Sequence, residues 1–166
     1  MPQLKTLHPE AVSRALEKAL RYRLLNEPME AESICRDVLE VEPDNQDALT
    51  TLILSLTDQL GRHRQGVLGE LKTLVPRLAD EYARRYYRGL VWERQGKAHY
   101  RQGGPGCGHG AFECLARAMQ EFEAAEEVRA PGNEDALLRW NACARFIERT
   151  TDIVPAPEEA RQPFLE

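Results

Sequence analysis

The chain has 166 residues, of which 42% are hydrophobic and 30% are charged, values typical of a folded globular domain. Its formal net charge of −5 argues against a nucleic-acid binder, which usually shows a basic balance or a basic stripe. No apolar stretch approaches the roughly 20 residues that span a bilayer, and the N-terminal sequence lacks a signal-peptide pattern. We therefore predict a cytoplasmic protein without nucleic-acid or membrane partners.

The four cysteines are Cys35, Cys107, Cys114 and Cys143. An even number of cysteines indicates disulfides in short secreted chains, but nothing in this sequence indicates secretion. We expect free thiols.

The first half of the chain predicts three helices, because apolar residues recur at three- and four-residue steps between clear breaks. The first helix follows Pro9, and the second begins near Pro28, a residue that suits a first helical turn. Asp44 or Asn45 can cap the third helix, which we expect to end before Gly61. Strand signals are nearly absent, so the pattern favours an all-α fold.

The second half predicts four more helices. Their expected bounds are 65–78, 80–101, 111–128 and 134–150. The glycine-rich stretch 103–110 is predicted to be non-helical, because glycine breaks regular structure. The domain is thus expected to cover residues 1–150, followed by a flexible, proline-containing tail over 151–166.

A short motif occurs twice. Residues 43–49, PDNQDAL, return as residues 131–137, PGNEDAL, with five of seven positions identical at a distance of 88 residues. Such internal similarity is typical of repeat proteins, in which stacked helical pairs share one core.

At this point the sequence resembles the tetratricopeptide repeat (TPR), a helix–turn–helix unit of about 34 residues. Ala19, Tyr22, Ala31 and Pro43 fill the family's small, aromatic, alanine and proline positions in the first unit, and Ile53 follows Ala19 by 34 residues. The resemblance covers about residues 9–148 and is looser after the first unit. It implies a right-handed superhelix of antiparallel helix pairs, with about seven helices in all.

Later units keep parts of the same pattern. Gly89 and Trp92 take the small and aromatic positions of the third unit, and Asn141 takes the small position in the last helix. The steps between equivalent positions are therefore 34, 36 and 52 residues, so the last step contains an insertion that includes much of the glycine-rich stretch.

The resemblance also implies a partner-binding groove formed by the first helix of each pair. Its residues in this sequence are Leu16, Leu20, Arg23, Thr50, Leu54, Thr57, Tyr86, Leu90, Glu93 and Arg94. Leucines and a tyrosine beside charged groups suit a peptide or a partner helix. The leucines stand where the family's carboxylate clamp needs polar donors, which disfavours a receptor for chaperone tails. The prediction is a protein-interaction module, an adaptor or assembly factor, without catalysis and without a cofactor.

Two alternatives stay open. His99, Cys107, His109 and Cys114 are candidate metal ligands or redox groups, although their spacing differs from that of the usual zinc sites. A self-assembling scaffold is the second, because charge is unevenly spread: residues 27–47 hold eight acids and one arginine, and residues 77–101 hold seven bases and three acids.

Overall fold

The computed structural model describes residues 3–61 and 65–157, and these residues contain seven α-helices and no strand. The helices are α1 (Val12–Leu24), α2 (Pro28–Val41), α3 (Gln46–Thr57), α4 (Val67–Leu74), α5 (Glu81–Gln102), α6 (Cys107–Glu126) and α7 (Asp135–Arg149). Short 3-10 turns precede α1 at Pro9–Ala11 and follow α4 at Val75–Arg77. The predicted all-α class is confirmed. The chain divides into two units, Met1–Arg84 and Arg85–Glu166.

Local chemistry explains the starts of α2 and α3 and the early end of α4. Pro28 occupies the first turn of α2, where its missing N–H costs nothing. Asn45 caps α3, because its side chain accepts a hydrogen bond from the backbone N–H of Ala48 at 2.9 Å. The predicted fourth helix is shorter than expected, because Pro76 falls within the 3-10 turn that ends it.

The first unit is built from packed neighbouring helices. α1 contacts α2, α2 contacts α3, and α3 contacts both α1 and α4. Val12, Val38 and Ala48 form one buried cluster. The small residues Ala19 and Ala31 are fully buried, so these helices approach closely. Ala19 and Ala31, the two alanines of the first predicted unit, therefore serve as packing residues.

In the second unit, α5 and α6 pack through glycines. An ideal Cβ on Gly89 would lie 2.7 Å from Cε1 of Phe122, and one on Gly96 would lie 2.9 Å from Cβ of Cys114. Real Cβ atoms do not approach other atoms so closely, so both positions need glycine. Helix α7 then packs against α6.

The prediction that residues 103–110 are non-helical is wrong for its second half. α6 begins at Cys107 and includes Gly108 and Gly110. Gly106, with a left-handed φ of 74°, turns the chain into the helix. Other groups lie close to both helical glycines. A Cβ on Gly110 would lie 2.6 Å from Nε2 of His99, and Gly108 faces the segment after α7. Glycine content alone could not show this, because glycine breaks an exposed helix but is required in a closely packed one.

The segment that follows α7 packs against the rest of the second unit. Ile153 is 2% exposed, and Nδ1 of His109 lies 2.9 Å from the carbonyl oxygen of Val154. This packing was not predicted for the start of the tail. Residues 158–166, the rest of the predicted tail, lie outside the described residues.

Candidate interaction surface on α1

One face of α1 gathers positive charge. Arg14, Lys18 and Arg21 are spaced by four and three residues, so they lie on the same side of the helix, and all three are exposed. Within the part of the chain that the structure describes, none of them forms an ion pair. Nζ of Lys18 lies 5.5 Å from the centroid of the Tyr22 ring, a cation–π contact. The face therefore presents cations that have no carboxylate partner among residues 3–61 and 65–157.

The same face bounds a surface depression of about 490 Å³. Its lining residues are Arg14, Glu17, Lys18, Arg21, Tyr22 and Leu25. Three cations against one carboxylate give the depression a positive balance, in contrast to the chain's net charge of −5. A leucine and a tyrosine supply apolar surface between the charged groups, as in sites that hold amphipathic segments.

Four large apolar side chains are exposed in the neighbouring sequence, and one of them, Leu25, also lines the depression. Leu20, Leu24, Leu25 and Met29 come from the end of α1 and the start of α2, with exposed fractions of 47%, 83%, 62% and 65%. Single exposed apolar residues are ordinary, but four large ones within ten residues are a concentration of the kind found at interaction sites. We call Arg14, Lys18, Arg21 and these four residues together the α1 surface.

The groove residues predicted in the first unit have different environments. Leu16 packs on the cluster of Val12, Val38 and Ala48, and Thr57 is buried at 3% exposure. Nε of Arg23 donates to Oδ2 of Asp58 at 2.8 Å, an ion pair between α1 and the end of α3. Of this set Leu20 is exposed, and it belongs to the α1 surface. Thr50 and Leu54 are half-buried.

Two of the four groove residues predicted in the second unit are buried. Leu90 and Glu93 are each 1% exposed, so their side chains lie inside the unit and not on an open surface. Tyr86 is half-buried; its ring packs edge-on to that of Tyr87 and tilted against that of Phe122, with centroids 5.1 and 5.8 Å apart. Arg94 is also half-buried. Whether any of these residues contacts a partner stays a prediction.

Glu93 is the centre of a buried polar cluster. Its Oε1 accepts a hydrogen bond from Nζ of Lys97 at 2.5 Å and lies 3.4 Å from a guanidinium nitrogen of Arg139. The second carboxylate oxygen of Glu93 is buried and has no hydrogen-bond partner within the described structure. The two cations are 30% and 37% exposed, so this cluster ties α5 to α7 while keeping its positive ends near solvent.

The candidate metal ligands are engaged separately. His99 packs against Gly110, and His109 contacts the carbonyl of Val154. Cys107 and Cys114 are half-buried. Among residues 3–61 and 65–157, no three histidine, cysteine, aspartate or glutamate side chains are grouped so that they could hold a metal ion.

All four cysteines are free thiols. Burial, with a further contribution from Glu32, raises the pKa of the Cys35 thiol to about 12. Burial and the nearby Glu93 carboxylate raise the pKa of Cys143 to about 12 as well. Burial also raises the pKa of Cys114. These shifts favour the unreactive thiol form, so Cys35 and Cys143 are packing residues.

Sequence reasoning missed the cations of the α1 surface. Their signal was present, because Arg14, Lys18 and Arg21 recur at helical spacing, but such spacing usually marks a solvated face. What distinguishes them is the neighbouring exposed leucines together with the absence of ion pairs inside the described chain, and both depend on the folded arrangement.

Compared with family models, with curated proteins and with solved structures, the chain gives no significant match. Of the helices in the described residues, none combines the length and the apolar character needed to cross a membrane.

Proposed function

We propose that the chain is a TPR-like protein-interaction module, an adaptor or assembly factor, that binds an acidic amphipathic segment of a partner protein on the α1 surface. The observation that carries the proposal is the occurrence of three exposed cations on α1 together with four exposed apolar side chains at the end of α1 and the start of α2. Unpaired cations attract a partner of opposite charge, and apolar anchors give the complex its stability. The predicted cytoplasmic location and the absence of catalysis belong to this proposal.

Charge complementarity defines the occupant. Arg14, Lys18 and Arg21 can pair with carboxylates spaced by three or four residues along a partner helix. Leu24, Leu25 and Met29 would contact apolar residues of the same partner helix. A neutral or basic segment would leave the cations unpaired, so the proposal excludes it.

The test uses the full chain and a charge-reversal variant, Arg14→Glu, Lys18→Glu, Arg21→Glu. The matched control is Lys5→Glu, Arg145→Glu, Arg149→Glu, which changes three exposed cations elsewhere and gives the same net charge. Partners captured from native extract are mapped to the bound segment with overlapping synthetic peptides, and the affinity of that peptide is measured at rising salt.

The expected result is an acidic segment whose affinity falls as salt rises, because salt screens exposed charges. Binding should be lost in the reversal variant and kept in the control. The proposal is overturned if no segment is captured, if the segment is neutral or basic, or if the reversal variant still binds it.

A second copy of the chain is the competing occupant, because residues 27–47 carry eight acids and one arginine. Sedimentation at low salt separates the two. A dimer that becomes monomeric in the reversal variant, but not in the control, would replace the partner protein by a second copy.

A further inference from the structure

Glu17 is the one carboxylate among the residues that line the depression on α1. Arg14 precedes it by three residues and Arg21 follows it by four, so both cations lie on its side of the helix. Side chains four residues apart form an ion pair elsewhere in the protein, between Glu32 and Arg36. Glu17 forms none with either arginine in the part of the chain that the structure describes. Its side chain is exposed, so the carboxylate is open to a partner.

The charges of the depression are arranged on two edges. At 3.6 residues per turn, Glu17 lies about 60° to one side of Arg14, and Lys18 lies about 40° to the other. The ammonium of Lys18 is directed at the Tyr22 ring, 5.5 Å from its centroid, and not at Glu17. One edge of the depression is therefore negative and the other positive, with Arg14 and Arg21 between them.

A partner helix that covers this depression removes water from Glu17 as well as from the cations. A carboxylate that loses its water without gaining a donor is costly, and one placed beside a partner's carboxylate is repelled as well. A partner that carries only acids on its charged face meets both costs. A partner with one lysine or arginine between its acids meets neither, and it is still acidic overall, as three cations against one carboxylate require.

We infer that Glu17 is a specificity-determining residue of this site, and that the acidic amphipathic segment bound there carries one lysine or arginine between its carboxylates, facing Glu17. This assignment rests on the proposed function, because it concerns the same site, and it adds the charge pattern that distinguishes one acidic segment from another. It also sets the register of the partner. A partner shifted by one helical turn would place its base against an arginine and a carboxylate against Glu17.

Three synthetic helical peptides test the assignment on the full chain. Each carries two glutamates at the spacing of Arg14 and Arg21 and a leucine at the end that faces Leu25. They differ in the one residue between the glutamates that faces Glu17, which is lysine, glutamine or glutamate. Fluorescence anisotropy at low salt measures their affinities. Attraction by net charge alone would make the glutamate peptide bind most tightly. Pairing with Glu17 reverses that order, and the lysine peptide should bind at least about threefold more tightly than the glutamate peptide.

Variants of the chain assign this preference to one side chain. Glu17→Gln should remove the preference for the lysine peptide, and Glu17→Lys should make the glutamate peptide bind most tightly. The control is Glu148→Gln, which changes the net charge as Glu17→Gln does but at an exposed position of α7, and it should keep the wild-type order. Glu17 is exposed, so its variants should fold as the wild type does, as checked by circular dichroism.

The outcomes separate this assignment from the proposed function. If the peptides bind the wild type and not the Arg14→Glu, Lys18→Glu, Arg21→Glu variant, the proposed function stands. The assignment is nevertheless overturned if the wild type then prefers the glutamate peptide, or if Glu17→Gln still prefers the lysine peptide. If none of the three peptides binds the wild type, both are overturned.

The segment captured from native extract is a second readout that needs no Glu17 variant. It should contain a lysine or arginine between two acids, and replacing that base by glutamine should weaken its binding at least about twofold. A captured segment with acids alone would overturn the assignment of Glu17 and leave the proposed function in place.

Discussion

The ring of Phe122 lies directly against Gly89, where a Cβ would be only 2.7 Å from Cε1 and 2.8 Å from Cδ1. Phe122 is fully buried in α6, and Gly89 is buried in α5. The absence of one side chain therefore sets how closely these two helices approach. Both tryptophans, Trp92 and Trp140, belong to the same unit, so their fluorescence reports on its unfolding.

Gly89→Ala should destabilise the second unit. Overpacking a filled core costs about 1–3 kcal/mol, which outweighs the gain of at most about 1 kcal/mol in helix propensity. The measurement is urea unfolding followed by tryptophan fluorescence. Adding Phe122→Leu should recover part of the loss, because the smaller side chain makes room, and a double-mutant cycle measures this coupling.

Gly69→Ala is the matched control, because a Cβ on this helical glycine meets no atom within 4 Å. It should leave the stability of the protein unchanged or raise it, measured by circular dichroism. A Gly89→Ala protein as stable as the wild type would contradict the close packing of α5 and α6.

Glu93→Met should retain most of the stability of the second unit, whereas Glu93→Ala should lose about 2–4 kcal/mol. Methionine fills the buried volume and removes a carboxylate oxygen that has no hydrogen-bond partner in the described structure. Lys97 and Arg139 then reach solvent, because both are partly exposed. Alanine removes the ion pairs and leaves a cavity as well.

Tryptophan fluorescence during urea unfolding measures both Glu93 variants. Glu148→Ala serves as control, because Glu148 is exposed on α7 and should change stability by less than about 0.5 kcal/mol. Equal losses in the methionine and alanine variants would show that the charge, and not the filled volume, is what matters.

Native-state alkylation should separate the four thiols. At pH 8, a pKa of about 12 leaves Cys35 and Cys143 with roughly 1,000-fold less thiolate than a thiol at its ordinary value of 9.0, and burial also blocks access. Cys107 and Cys114 are half-buried, and the raised pKa of Cys114 makes it the slower of these two. Iodoacetamide labelling followed by peptide mass spectrometry should give Cys107 first and Cys114 second.

Cys35 and Cys143 should become labelled only when urea unfolds the chain. Rapid labelling of either one in the native protein would contradict its burial.

Asn45→Ala should destabilise the first unit by about 1 kcal/mol, because the Ala48 N–H loses its side-chain acceptor. Asn133 is the equivalent residue of the second motif, but it accepts from the N–H of Asp135, and α7 begins one motif position later than α3. Asn133→Ala should therefore cost less. Thermal unfolding followed by circular dichroism compares the stability of the two variants. A larger loss of stability for Asn133→Ala than for Asn45→Ala would contradict the assignment of Asn45 as the stronger helix cap.

The recurring motif shows how well local sequence predicts where a helix starts. Residues 43–49 and 131–137 each contain the start of a helix, as predicted, and Asn45 is the cap that its residue type indicates. The register at the second helix differs because Gly132, with a φ of 83°, stands where the first motif has Asp44. Identical flanking residues therefore did not give an identical helix start.

The candidate site was less predictable. Leu90 and Glu93 belonged to the predicted groove but are buried, whereas Arg14, Lys18 and Arg21 were not included and form the charged part of the α1 surface. The difference arises because exposure depends on which helix covers a face, and helical spacing alone does not contain that information.

The sequence by itself determined that the chain is helical and where most helices begin and end, because caps, prolines and apolar periodicity act within a few residues. It did not determine that α6 continues back through Gly110 and Gly108 to Cys107, or that Ile153 is buried in the segment after α7. Only the tertiary structure decided these, since each depends on how closely segments far apart in the chain approach. Glycine weakens a helix whose surface is exposed. It is accommodated within a packed helix where a ring or a carbonyl occupies the place that its Cβ would take.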